Sequence, residues 1–450
     1  MNARFDLTDE LLRRALTPPE DNAMAGLAQA IRADVDVTPQ RRHIWAPLRA
    51  LSGPFGPPRT LRLALILLVA ALAIALMLAL AGSRRPALEL GDGSMFHGGP
   101  ARTGEMAGPG PGPAAAPAQL WAIDLPGPLA NSMPALKDGH LFVADGRGNV
   151  GVYDPGTGSG GWTRSLPRPA TSPAAADGVL IVGAGNGLYG IDETSGGIVW
   201  MIRSDGPVTS HPAILDGVAY AGLPDASVVA VDIKTGSIRW RRTIDGPIAK
   251  ALAVADGLVF AGDDAGQVAA LDAIDGTVRW SRSLGGGTLS SPAVSSGAVR
   301  ISTGLGPEPT AHRLYALDVL SGDILWSFEA PTKATLYVGA SSGGMTYAVS
   351  DDGHVYAVKD GGELAWDFDT GGPVGSVGTI SSGLLYISSS AGRIFALDPL
   401  TGRDAWSVPV NGDPGPVIVA DGRMYVGTSL GQLTAFGNTR DSGTPPASSP

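Results

Sequence analysis

Six histidines are spread along the chain: His43, His97, His140, His211, His312 and His354. None forms the short His spacing of a zinc site. Cysteine is absent, which excludes a disulfide, a thiolate nucleophile and a cysteine-bound metal. No nucleophile elbow or phosphate-binding loop falls where a strand–helix context would support it. Most aspartates sit at turn positions, and no acidic cluster is assignable to calcium. Two residues stand out, His211 and Lys250, because they fall on expected innermost strands of a repeated unit. The comparable region of neighbouring units carries Asn131, Thr171 and Ser290. Imidazole, ammonium, amide and hydroxyl groups in such positions could line a channel and hold a ligand by hydrogen bonds. The sequence assigns no catalytic residue, no metal site and no cofactor.

The unit that must position these residues is legible from Asp192 to Trp240. Asp192-Glu193-Thr194-Ser195-Gly196 is followed four residues on by Trp200, and Asp232-Ile233-Lys234-Thr235-Gly236 by Trp240. Tryptophan recurs at Trp121, Trp162, Trp200, Trp240, Trp280, Trp326, Trp366 and Trp406. A period of roughly 40 residues marks a propeller or array. Six turns keep the full pattern, starting at Asp154, Asp192, Asp232, Asp272, Asp318 and Asp398, and Asp360-Gly361-Gly362 is a shortened form. Aspartate can accept the backbone N–H groups of a turn, and glycine supplies positive φ. Tryptophan at a fixed place reads as packing between neighbouring units.

Between tryptophans the pattern predicts three strands, in one unit about 210–215, 218–223 and 228–232, with Asp-Gly turns such as Asp216-Gly217 between the first two. With the tryptophan strand these make a four-stranded blade. The last triple, ending near Phe436, lacks a tryptophan strand after it, and the strand around Trp121 lacks a triple before it. Pairing them closes an all-β, eight-bladed propeller over residues 119–437, with the seam between 119–125 and 431–437. The stretch Gly304 to His312 is an insertion in unit five and a candidate recognition loop.

The run (Ala/Gly/Val)-(Val/Ile/Leu)-Asp-x-x-(Ser/Thr/Asp)-Gly-x-x-x-Trp resembles the pyrroloquinoline quinone (PQQ)-type propeller repeat. Ala230 to Trp240 and Ala396 to Trp406 carry it, and Ser172-Pro173-Ala174 and Ser291-Pro292-Ala293-Val294 are similar to that family's first strand. The lead-in Met95 to Gly104 is similar to the segment placed before such propellers. The resemblance implies two branches. Quinoprotein dehydrogenases hold a quinone and calcium in the central channel. The methanol-dehydrogenase type also uses adjacent cysteines, which this chain lacks. Non-catalytic binding propellers include the scaffold of the outer-membrane barrel-assembly machine, which is anchored through a lipidated cysteine. The layout of a short tail ahead of a single span is also similar to transmembrane anti-sigma regulators.

The flanks differ in style. Residues 1–60 predict a tail with short helices, one capped by Thr8 and one from about Pro19 with Met24, Leu27, Ala28, Ile31 and Val35 on one face. From Leu63 to Gly82 there are 20 residues without a charge, which at ~1.5 Å per residue span the hydrocarbon of a bilayer. Residues 61–82 are therefore expected to be a transmembrane helix. Arg41, Arg42, Arg49, Arg59 and Arg62 precede it, and Arg84, Arg85 and Arg102 follow, so the N-terminus is expected in the cytoplasm and the propeller outside the plasma membrane. Residues 83–118, rich in Gly, Pro and Ala, read as a linker, and 438–450 as a disordered tail. The net charge of −10 argues against a nucleic-acid surface. The favoured reading is a membrane-anchored binding or scaffold module for protein or envelope components on the propeller rim. A quinone-dependent dehydrogenase and a transmembrane sensor acting through the tail are the alternatives.

Overall fold

The computed structural model describes residues 93–438 apart from 107, 249, 286, 288, 305–311 and 375. The tail helices, the Leu63–Gly82 span, most of the unit-five insertion and the C-terminal tail lie outside the described residues. Among the described residues no helix is long and apolar enough to cross a membrane.

The described chain forms eight four-stranded antiparallel sheets. Blade 3 shows the pattern, with strands Ala213–Leu215, Val218–Gly222, Ser227–Asp232 and Ile238–Thr243. The second strand is buried along its whole length and the outer strand is mostly exposed except at Trp240. That gradient follows from stacking blade against blade. Middle strands are covered on both faces, so they read as apolar runs, whereas the outer strand meets water.

Seven blades are contiguous in sequence, and the eighth is not. Its strands Ile418–Ala420, Arg423–Gly427 and Gln432–Gly437 come from the end of the chain, and its outer strand, Ala118–Asp124, comes from the beginning. Ala118 pairs with Gly437 and Asp124 with Gln432. The ring therefore closes within the expected seam.

The tryptophan spacing has a geometric cause. Trp240 pairs across the sheet with Ala230, and Trp280, Trp366 and Trp406 likewise face Ala270, Ala357 and Ala396. A small residue beneath the indole leaves it free to lean onto the next blade. There its Nε1–H donates to a carbonyl inside the next Asp-x-x-x-Gly turn: Trp162 to Glu193 at 2.8 Å, Trp200 to Ile233 at 2.7 Å and Trp240 to Ala273 at 2.9 Å. The turn glycine lies flat under the same ring. A Cβ on Gly236, at φ +71°, would stand 2.5 Å from Trp200. Aspartate closes the turn by accepting N–H groups, as Asp192 does from Ser195 at 2.7 Å. Asp, Gly and Trp thus form one joint between adjacent blades.

Blade 8 has no such turn, because its third and outer strands are the two ends of the ring. Trp406 donates instead to the carbonyl of Gly112 at 3.0 Å. The lead-in supplies the missing partner, and it does more than that. Residues 93–106 run round the inside of the ring and engage every blade in turn. Backbone N–H groups of Leu136, Ala175, Val254, Val294, Ser341 and Ile380 donate to the carbonyls of Gly93, Ser94, Pro100, Ala101, Thr103 and Gly104, each at 2.8 Å. Blade 3 is reached by Arg102, which donates to the carbonyl of Pro212 at 2.7 Å, and blade 8 by Met106, whose sulfur accepts from Val419 N–H at 3.4 Å. Tyr386 then holds the carbonyl of Pro111 at 2.7 Å. Residues 93–106 and 108–112, expected to belong to a linker, are thus seated in the propeller. Their glycines allow close approach. Gly104, at φ +75°, has the Gly378 carbonyl 2.8 Å from where a Cβ would sit. Arg102, counted above as a basic residue flanking the apolar span, is fully buried within the ring.

Candidate functional site

The chain enters each innermost strand through a short loop, and these loops surround the propeller axis. They enclose a cavity of about 470 Å³ with Phe96 of the lead-in in its wall. Asn131, Thr171, His211, Lys250 and Ser290 all line it, together with Ser376 and Tyr337. The structure brings these five residues together, but not on the innermost strands themselves. The inner strands begin later, at Ala213 in blade 3 and Ala253 in blade 4, so His211 and Lys250 belong to the loops that precede them.

The loops follow a rule that the sequence did not reveal. In blades 2, 3 and 5 the residue three before the inner strand is a hydroxyl that pins the second strand, whereas Ser132 and Ser376 hold that place in blades 1 and 7 with an Oγ that makes no hydrogen bond among the described residues. Thr171 accepts the N–H of Gly183 at 3.0 Å, Ser210 that of Gly222 at 3.2 Å and Ser290 that of Ser302 at 3.0 Å. One residue later stands an acceptor for the preceding blade. Ser172 takes the N–H of Met133 at 2.9 Å and Ser291 that of Ala251 at 3.1 Å. His211 occupies this second position, and its Nδ1 takes the N–H of Ser172 at 3.0 Å. Thr171 and Ser290 therefore have structural bonds, and His211 replaces a repeat serine. Lys250 occupies the first position, where the hydroxyl is missing. The signal was available in the sequence as an alignment of Thr171, Ser210, Lys250 and Ser290, each three residues ahead of an Ala-starting strand.

The electrostatics of the site are one-sided. His211 stacks on Phe96 with ring centroids 4.3 Å apart and 9° between planes. Burial, reinforced by the cations Arg102 and Lys250, pulls its pKa down to about 3. Because Nδ1 accepts a bond, the proton of the neutral ring belongs on Nε2. Beside it, burial lowers His97 to about 4, and its Nε2 bonds the carbonyl of Gly339 in blade 6. Arg102 reaches the carbonyls of Leu252 at 2.9 Å, His211 at 3.2 Å and Pro212 at 2.7 Å, and also that of Phe96. Burial lowers its pKa to about 9, so it keeps its charge at neutral pH. Its partners are all backbone carbonyls. Among the described residues lining the cavity, Lys250 is the one charged group.

The turn aspartates are occupied elsewhere. Asp154, Asp192, Asp318 and Asp398 accept N–H groups of their own turns, while Asp232 and Asp272 also pair with Arg239 and Arg279. Among the described residues no group of three or more His, Asp or Glu could hold a metal ion. His140 is exposed, His354 pairs with Asp367 at 3.2 Å, and His312 is the last residue of the insertion.

An eight-bladed ring with inter-blade tryptophans and a lead-in seated in its channel defines a PQQ-type propeller. Residues 114–251, 245–351 and 351–442 each match the family described as outer membrane protein assembly factor BamB, and the chain belongs to that family. Its fold is similar to the crystal structure of BamB from Moraxella catarrhalis, at TM-score 0.59 and 18% identity over 71% of this chain and 99% of that one. It is similar also to quinohemoprotein alcohol dehydrogenase from Comamonas testosteroni, at TM-score 0.63 and 14% identity over 81% and 83% of the two chains. A europium-containing methanol dehydrogenase aligns at TM-score 0.61 and 12% identity, over 78% and 98%. No curated protein matches the chain.

The dehydrogenase likeness allows a test of fit. A hard cation beside a quinone requires oxygen ligands, carboxylates above all. Among the described residues the cavity offers hydroxyls, one amide, a neutral imidazole and an ammonium, with no carboxylate in its lining. This donor set does not fit a quinone–cation pair.

Proposed function

We propose that this chain is a non-catalytic binding propeller, a scaffold that holds a protein or other envelope component on one face of the ring. In this reading Leu63–Gly82 anchors it in the plasma membrane, with the N-terminus in the cytoplasm and the propeller outside. The observation that carries the proposal is the third residue of the Asp-x-x-x-Gly turns. All these turns join the third strand to the outer strand, so they project from the same face. Ile274, Leu320 and Leu400 hold the same place in their turns and are 87%, 77% and 76% exposed. Repeated apolar tips on one face of a soluble ring are a protein-contact feature, since isolated surface apolars have no reason to recur at one register. Membership of a family described by an assembly factor supports the same reading.

Site-specific photocrosslinking in native membranes tests it. A crosslinker at Leu320 should give a discrete adduct that Ile274→Glu and Leu400→Glu reduce at least several-fold. A crosslinker at Asp264, on the opposite face, should not. Equal adducts at both positions would sink the proposal. Because the chain has no cysteine, a single Leu320→Cys change also reports sidedness. Labelling by an impermeant maleimide is expected without opening the membrane, and labelling confined to opened membranes would refute the orientation.

A further inference from the structure

We propose that the axial cavity is a binding site for a small anion bearing a carboxylate or phosphate group, held by Lys250, the Nε2 edge of His211 and the hydroxyl of Ser376. The inference concerns the channel and stands independently of any partner on the turn face.

Four observations converge on it. First, Lys250 replaces the hydroxyl that pins the second strand in blades 2, 3 and 5. The substitution gives up a structural bond and, among the described residues, its ammonium has no hydrogen-bond or ion-pair partner. Second, Ser376 stands in the cavity wall. It is only 8% exposed, and among the described residues its buried Oγ has no hydrogen-bond partner. A buried hydroxyl left unpaired costs about 1–3 kcal/mol, which a ligand oxygen would recover. Third, His211 presents a neutral donor edge. Its Nδ1 is occupied by Ser172, and its protonated Nε2 has no protein partner among the described residues. Fourth, the charges acting on the site have one sign. Arg102 lies against Phe96 at 5.5 Å from the ring centroid and is satisfied by carbonyls, which leave its charge in place. Among the described residues no carboxylate lines the cavity to balance Arg102 and Lys250. A low-dielectric channel with two cations and no acid concentrates negative ions and repels the metal cations that carboxylate-lined channels attract. The volume of about 470 Å³ suits a small organic ligand.

The test uses the full chain in detergent, with inorganic phosphate and citrate as separate probes at constant ionic strength set by chloride. Binding is followed by titration calorimetry and by the rise of the thermal midpoint with probe concentration. At least one probe should bind. Lys250→Ser, which restores the residue type of the other blades, should weaken it at least tenfold. Lys250→Arg should retain it, and Ser376→Ala should lose severalfold. Far-UV circular dichroism checks that each variant keeps the sheet. Phosphate alone binding would identify a phosphate ligand, and citrate alone a carboxylate ligand. Either outcome supports the site. Failure of both probes, or equal binding by wild type and Lys250→Ser, would overturn it. So would an equal midpoint shift from glycerol, which is neutral.

Discussion

His97 and His211 are the two residues at which the propeller is committed to neutral pH. In the unfolded chain an imidazole takes up its proton near pH 6.5, whereas burial holds His97 to about 4 and His211 to about 3 in the folded ring. Both shifts are downward, so the unfolded state binds more protons as the medium acidifies. The stability they contribute is complete above about pH 6.5 and is lost as pH falls toward 4, at roughly 1.4 kcal/mol per pH unit for each imidazole. Thermal midpoints between pH 7.5 and 4.5 are expected to fall accordingly. His211→Ser should remove about half of the slope, because a serine in that position can still accept the Ser172 N–H. An unchanged slope would contradict the assignment. The sequence singled out His211 through its position in the repeat, yet gave His97 no role. Its importance depends on the fold that carries Gly339 of blade 6 to its ring.

The joint between blades is the element that repeats, and its exceptions are informative. Tyr220 and Phe260 lie near Trp240 and Trp280, at centroid distances of 6.0 Å and 6.1 Å. In blade 5 the equivalent residue is Arg300, which is buried and bonds Thr346 at 2.6 Å and Asp360 at 2.7 Å in blade 6. Asp360 is the shortened turn. Where the turn lost its full length, the aromatic pair gave way to a charged one, and among the described residues the indole N–H of Trp326 has no acceptor. Two variants separate these joints. Trp200→Phe removes packing and a 2.7 Å bond, and should cost about 2–3 kcal/mol. Trp326→Phe removes packing alone and should cost about half as much. Urea denaturation with unchanged m-values would measure both, and equal losses would show that the turn carbonyl contributes nothing. The number of blades, their turns and the seam were legible because each rests on a local pattern repeated many times. The identity of the tryptophan's partner was not, since that carbonyl belongs to the next unit and no spacing within one unit reveals it.

At the scale of the whole molecule, the lead-in resisted sequence reading. Glycine and proline at such density describe a spacer equally well, because glycine serves flexibility in one setting and close approach in the other. Gly108 and Gly110 illustrate the second, since a Cβ would stand 2.8 Å from Ala420 and 2.3 Å from the Tyr386 hydroxyl respectively. The seam gives a direct test. A chain ending at Gly431 lacks the strand that pairs with Ala118–Asp124, and should lose cooperative unfolding and become sensitive to protease within residues 93–117. A chain ending at Asn438 keeps that strand and should behave as wild type. If both truncations unfolded alike, the seam would not hold the ring.

The same seam sets a timetable for biogenesis. Strand Ala118–Asp124 emerges from the ribosome among the first parts of the ring, and its partner Gln432–Gly437 among the last. Between those moments about 300 residues of nascent chain must be held with an unpaired edge at the front. Residues 93–106 have the complementary difficulty, for the surface they fit is assembled blade by blade after they are made. The ring therefore cannot close until Gln432–Gly437, its last strand, has been made.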